Sequence, residues 1–226
     1  MRRLANETAI KRKATLGRFL TYAGFGIMGI GLVISFTQTQ YSSFILLFAL
    51  LGVILSQIGM MMTNRWGRSP RIDEVIDRSL KGLSDQYSVF HYVLGADHVL
   101  VCPAGIYTLV TSLLDGEMNY EEGNWWQTRI RRGRPRKKAQ KNLDSEVKIE
   151  VNSTQKALNK RVKDTEVPDV GAILVFVHPD AAVHSEGVPY PTMHLKKLKS
   201  FLRKLDKGPT LTLETVGQLS ETLGLI

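Results

Sequence analysis

The chain has 226 residues, 43% of them hydrophobic, which is enough for one cored domain plus an appendage. Its single cysteine, Cys102, excludes an internal disulfide and is compatible with a reducing compartment. A formal net charge of +9 favours anionic partners, either nucleic acid or an acidic lipid surface.

In chain order, residues 1–18 form a basic segment, with Arg2, Arg3, Lys11, Arg12, Lys13 and Arg18. Residues 19–36, "FLTYAGFGIMGIGLVISF", and 41–62, "YSSFILLFALLGVILSQIGMMM", carry no charge. Each is close to the roughly 20 residues an apolar helix needs to cross a bilayer. Together they predict a transmembrane helical hairpin over 19–62, in which Gly24, Gly26, Gly29 and Gly31 allow close approach of the second helix. A buried hairpin of a soluble fold is the competing reading. Basic residues precede the first span and follow the second (Arg65, Arg68, Arg71), and the connection has none. By the positive-inside rule both ends and the soluble domain face the cytoplasm of a cell membrane. No small-residue cleavage site follows residue 36, which argues against a signal peptide.

Residues 66–226 have globular texture. "PRIDEVIDRSLKGL" predicts a helix with Ile72, Val75, Ile76 and Leu80 on one face. Strand-like runs follow at 87–94, 97–102 and 105–114, then a turn at Asp115-Gly116 and a short strand "EMNYEE". A helix is predicted over 152–163 with Asn152 or Ser153 as its cap, a buried strand over 170–177 and an amphipathic helix over 193–205. A closing helix runs through "TLETVGQLSETLGL" with Thr212 as its cap. The fold class is α/β, a mixed sheet layered with helices. Residues 127–150, polar, basic and aperiodic, are expected to be a long mobile insertion between a strand ending near Trp125 and the helix at 152.

The order of these elements resembles the nuclease-related domain (NERD) family, related to restriction-endonuclease-like nucleases. The residues that carry the resemblance are Glu74 in the first helix, "ADHVLVCPAGIYTL", "DGEMNYEEGNWW", Asn152-Ser153-Thr154-Gln155 and "AILVFV". The family pattern has Pro where Ser153 stands. The resemblance implies a restriction-endonuclease-like mixed sheet and a metal-dependent nuclease site. Such a site needs an Asp and a Glu-x-Lys on adjacent strands, so that two carboxylates hold a divalent metal and the lysine stabilises phosphate charge. Asp97 fits the first position. Val110 and Ser112 occupy the Glu and Lys positions. The implied site is therefore Asp97, with Glu74, as a weak metal pair and a largely lost catalytic centre. Mg²⁺ belongs to the chain only if a residual nuclease survives, with Asp115, Glu117, Lys156 or Lys160 as migrated substitutes.

Within the insertion, Arg129, Arg131, Arg132, Arg134, Arg136, Lys137, Lys138 and Lys141 stand with no acidic residue among them. "RGRPR" resembles an AT-hook. Gly133 and Pro135 would keep the backbone extended and thin, so that Arg132 and Arg134 reach along a narrow A·T minor groove. Arg131, Arg136, Lys137 and Lys138 would then meet phosphates. Three readings stay open for the stretch: a DNA or RNA contact, acidic lipid headgroups, or a solvated loop. Trp125 and Trp126 are candidates for base stacking or for core packing. His91, His98, His178, His184 and His194 show no metal-ligand spacing. The Pro- and Gly-punctuated segment 178–191 is expected to line a cleft at the sheet edge, with no assigned role.

The function that follows is a membrane-anchored nucleic-acid-binding protein whose nuclease site is largely lost. The alternatives are a residual metal-dependent nuclease, or a membrane-surface scaffold for acidic lipid or a protein.

Overall fold

The computed structural model describes residues 1–37, 42–161 and 168–205, and the expected closing helix lies outside them. The chain divides into two compact units, Asn6–Glu74 and Met1–Ala5 with Val75–Ile226.

The first unit is a pair of helices, α1 (Glu7–Thr37) and α2 (Ser42–Trp66). Both are long and apolar enough to cross a bilayer. α1 begins twelve residues before the uncharged stretch that starts at Phe19, because Asn6 caps it: the Ala9 N–H donates to Asn6 Oδ1 at 3.0 Å. The helices meet along Gly17 and Gly24 of α1 and Gly52 and Gly59 of α2, where an added Cβ would collide with the opposite helix. Gly31 also faces α2, against Phe48, whereas Gly26 and Gly29 point into open space. The expectation that all four glycines of 24–31 serve the interface is thus corrected. The seven-residue repeat of Gly17, Gly24 and Gly31 selects the contact face. Phe19, Phe36, Leu46 and Met61 stand exposed on the outer faces.

The second unit carries a six-stranded sheet of order β1-β2-β3-β4-β8-β10 and a four-stranded sheet of order β7-β6-β5-β9. In the first sheet β2 (Ser88–His91), β3 (His98–Cys102) and β4 (Gly105–Ser112) form an antiparallel meander. β8 (Val170–Phe176) then adds parallel to β4, and β10 (Thr192–His194) parallel to β8. These strands are buried on both sides, so they read as continuous apolar runs. The second sheet is β5 (Gly116–Glu121), β6 (Asn124–Arg131), β7 (Arg134–Ala139) and β9 (Ala181–His184).

The first edge strand comes from a distance. β1 (Arg2–Ala5), expected to be part of a basic cytoplasmic segment, pairs in parallel with β2. Arg3 Nε binds Asp77 Oδ2 at 2.6 Å. Asp77 Oδ1 in turn meets His91 Nε2 at 2.9 Å, and His91 Nδ1 meets His98 Nδ1 at 2.8 Å, so a polar chain runs from the edge strand into the core. α3 (Ile72–Leu80) buries Ile76 and Leu80 completely. α4 (Leu143–Arg161) starts nine residues before the expected Asn152, and Ser153 and Thr154 have other duties than capping. Ser153 Oγ donates to the Gly95 carbonyl at 2.9 Å, and Thr108 Oγ1 donates to Thr154 Oγ1 at 2.9 Å. Gln155 Oε1 accepts the Val170 N–H at 2.9 Å, fixing α4 to β8. α5 (Leu195–Leu205) buries Leu195, Leu198 and Leu202.

Candidate nucleic-acid interface

The stretch expected to be a mobile insertion is regular structure, and that expectation is corrected. Residues 127–139 belong to β6, its turn and β7, and Leu143 already starts α4. The turn is the pair Arg132-Gly133, with φ of 53° and 71°. Positive φ at both central positions is the geometry of a two-residue hairpin turn whose twist matches the strands. Glycine adopts it freely, and arginine less so. The thin extended backbone of an AT-hook is therefore not what this segment forms. Pro135 pairs in register with Ile130 and sits on β7, the sheet edge, where a missing N–H is tolerated.

Register decides where the charges point. β6 and β7 pair Gln127 with Lys138, Arg129 with Arg136 and Arg131 with Arg134, so these six side chains share one face. The other face carries Trp126, Thr128 and Ile130 against Ala139, Lys137 and Pro135. β5 pairs with β6 only from Glu121–Asn124 to Glu117–Thr128. The rungs Arg129–Arg136, Ile130–Pro135 and Arg131–Arg134 thus project past β5 as a two-stranded ribbon, and residues 129–138 are all exposed. Five cations, Arg129, Arg131, Arg134, Arg136 and Lys138, occupy a single face. Arg129 is paired with Asp115. Among the described residues no carboxylate pairs with Arg131, Arg134, Arg136 or Lys138, whereas Lys137, on the opposite face, binds Glu121 at 2.6 Å. Arg131, Arg132, Arg134 and Arg136 line a concavity of about 510 Å³ at the tip. Like charges placed directly across a ladder destabilise it by a few tenths to 1 kcal/mol per pair. The cross-strand arginine pairs on this face are therefore unfavourable to the ladder.

The base of the ribbon is rigid. Gln127 is buried, donates to the Asp115 carbonyl at 2.7 Å and accepts from Gln140 Nε2 at 2.7 Å, so its amide is satisfied at both ends. Trp125 is fully buried, packs against Tyr120 and Phe176, and donates to the Tyr190 hydroxyl at 3.4 Å. It is a core residue and is not available for base stacking. Trp126 is half-buried under the Lys137 ammonium, 4.9 Å from the ring centroid. The Tyr190 hydroxyl donates to Asp144 at the start of α4, and burial, then that carboxylate, raises its pKa. The segment 178–191, expected to line a cleft, does line one of about 960 Å³ together with α5.

The residues of the implied nuclease site lie elsewhere. Asp97 closes the connection between β2 and β3, is half-buried, and accepts the Tyr92 N–H on its carbonyl at 2.8 Å. Glu74 is the third residue of α3 and reaches back as a helix-capping group. Its Oε2 accepts from Ser69 Oγ at 2.7 Å and from the Arg71 N–H at 3.3 Å, and Arg71 Nη1 lies 3.4 Å from its Oε1. Val110 is 1% exposed and packs with Met118, Trp125, Leu174 and Phe176. Ser112 is also buried. Asp115 is taken by Arg129 and Gln127, Glu117 lies 3.4 Å from His184, and Lys156 and Lys160 are exposed on α4. Among the described residues no group of three or more His, Cys, Asp or Glu is placed to hold a metal ion.

No family model, no curated protein and no solved structure matches this chain.

Proposed function

We propose that the protein is a membrane-anchored nucleic-acid-binding protein, held by α1 and α2 in a cell membrane and gripping a duplex with the cationic face of the β6–β7 ribbon. The observation that carries this reading is the cross-strand register, which gathers Arg131, Arg134, Arg136 and Lys138 on one exposed face with no acidic partner. A chain of phosphates is the ligand that neutralises such a row, with release of condensed counterions. The flanking basic residues, before and after the apolar helices, support a cytoplasmic side for the domain.

The succession α3, β2–β3–β4, α4 and β8, with β8 parallel to β4, supports the nuclease-related resemblance and a restriction-endonuclease-like core. The chemistry of that core is not retained in this reading. The second carboxylate is replaced by a packed valine, and Glu74 serves as a cap.

The test is salt-dependent titration of the full chain, in nanodiscs of zwitterionic lipid, with fluorescent duplex. Each cation that meets a phosphate adds roughly −0.9 to the slope of log Kobs against log salt. Arg136→Ala/Lys138→Ala should flatten it by about 2. Binding with no salt dependence, or no binding, rejects the reading. A second reading is favoured by one observation: Ile130 is 81% exposed and pairs with exposed Pro135, an apolar rung among arginines. Such a tip suits an anionic lipid interface. Protection of the ribbon from trypsin by anionic nanodiscs, but not by zwitterionic ones, selects it.

A further inference from the structure

We infer that the ribbon enters the major groove of B-form DNA and reads guanine, rather than lying in an A·T minor groove. This inference rests on the duplex-binding reading above and specifies its substrate class.

The first argument is width. The minor groove is about 6 Å wide and takes a single extended chain, whereas the major groove, about 12 Å wide, takes a two-stranded β-ribbon. Residues 129–136 are two paired strands closed by a two-residue turn. Strands in a ladder lie about 4.8 Å apart before side chains are added. The hairpin therefore does not fit the undistorted minor groove in which an Arg-Gly-Arg peptide would lie. The last three rungs project past β5, so both edges of the tip are free to enter a groove.

The second argument is donor chemistry. The tip presents guanidinium groups in cross-strand pairs, Arg131 with Arg134 and Arg129 with Arg136. A guanidinium donates two parallel hydrogen bonds, and in the major groove guanine offers two adjacent acceptors, O6 and N7. Adenine offers an acceptor beside a donor and is matched instead by Asn or Gln. Among the residues of the projecting tip, 129–136, there is no Asn or Gln. Arg129 is held by Asp115, which leaves the Arg131–Arg134 rung as the reading pair and Arg136 and Lys138 for phosphates.

The third argument is spacing and helix form. Same-face residues on one strand repeat about every 6.8 Å, close to two base-pair steps of about 3.4 Å. Arg134 and Arg136 are one such step apart on the exposed face. An A-form RNA duplex buries its base edges in a deep, narrow major groove that side chains do not read. The substrate class is thus B-form DNA with G·C pairs, the reverse of what "RGRPR" suggests as a linear string.

The experiment uses the full chain in zwitterionic nanodiscs with four duplexes of one length: G·C-rich DNA, A·T-rich DNA, G·C-rich DNA with 7-deazaguanine in place of guanine, and G·C-rich RNA. We expect the G·C-rich DNA to bind at least about 5-fold more tightly than the A·T-rich DNA. The 7-deaza duplex, which lacks the N7 acceptor, and the RNA should both lose that advantage. Arg131→Lys/Arg134→Lys keeps the charge and should keep the salt slope, while the preference for G·C falls to near unity. The same variant serves as the folding control, since exposed arginines are exchanged for exposed lysines. Tighter binding to A·T-rich DNA, displaced by a minor-groove ligand, overturns the inference and restores the minor-groove alternative. Equal binding to all three DNA duplexes also overturns it, leaving a phosphate contact and the duplex-binding reading intact. Absence of binding to every duplex removes that reading as well.

Discussion

The β3–β4 hairpin and the β6–β7 ribbon belong to the same unit, and the chain spends charge in only one of them. Between Val99 and Val110 the central hairpin is almost wholly apolar and buried, its one interior hydroxyl, Thr108, bonded to Thr154. Between Arg129 and Lys138 the ribbon has no buried residue at all, and five of its cations lack an acidic partner among the described residues. The resemblance to a nuclease family directs attention to the first hairpin. The physical chemistry directs it to the second. A packed hairpin has its interactions satisfied and contributes stability. An exposed ribbon of like charges is kept at a cost, and in the proposed reading a ligand is what offsets it.

The largest effect expected from breaking this contrast lies in the sheet centre. Val110→Glu puts a carboxylate at a position 1% exposed among Leu174, Phe176 and Trp125. We expect about 3–5 kcal/mol of destabilisation, seen as a large fall in Tm. Adding Ser112→Lys should not rescue it. If the double variant keeps its Tm and cleaves DNA with Mg²⁺, then β4 faces a preformed catalytic site and the contrast is wrong. The next effect is at the ribbon's base. Gln127→Leu strands the Gln140 amide and removes the donor to the Asp115 carbonyl, costing about 1–3 kcal/mol. Because the same bonds aim the ribbon, duplex affinity should fall as well, although Gln127 is buried. Unchanged affinity in that variant would mean that the tip acts as a free peptide.

Much of the fold is visible in the sequence for a simple reason. β2, β3, β4 and β8 are apolar on both faces and α3 and α5 keep a helical period, so burial writes itself into the residue pattern. The ribbon escapes because its outer rungs have no buried face: Thr-Arg-Ile-Arg and Arg-Pro-Arg-Lys show no alternation against a core. One signal was present. Arg132-Gly133 lies midway between two stretches of matching length, the two-residue spacing of a hairpin turn. β1 escapes for a different reason, since an edge strand supplied by residues 2–5 is specified by a partner more than eighty positions away. The early start of α4 was hidden because Asn152 and Ser153 look like a cap. The Ser153 side chain bonds instead to the Gly95 carbonyl, and its neighbour Thr154 bonds to the Glu150 carbonyl and to Thr108. Of the candidate site, the residues were legible and their arrangement was not. The string contains all the arginines but not which of them share a face.

A smaller effect decides between a capping role and a ligand role for Glu74. If its carboxylate is a helix cap, Glu74→Ala costs about 1 kcal/mol, read from chemical denaturation, and leaves duplex affinity unchanged. A loss of affinity in that variant would return Glu74 to the ligand surface.

The smallest effect has the opposite sign, and it isolates the trade-off in the ribbon. Arg134 faces Arg131 across the last rung before the turn. Arg134→Glu replaces a repulsive cross-strand pair by an attractive one, which should raise stability by about 0.2–1 kcal/mol. It also removes a donor from the cationic face and places a carboxylate against the acceptor-lined, anionic duplex, so duplex binding should fall well below that of Arg134→Ala. A stabler protein that no longer binds is the signature of a surface shaped for a ligand at the expense of the fold. If Arg134→Glu leaves stability unchanged or lowers it, the arginines do not repel each other in the free protein. The cost assigned to the ribbon then disappears, and its exposure alone no longer distinguishes it from an ordinary solvated hairpin.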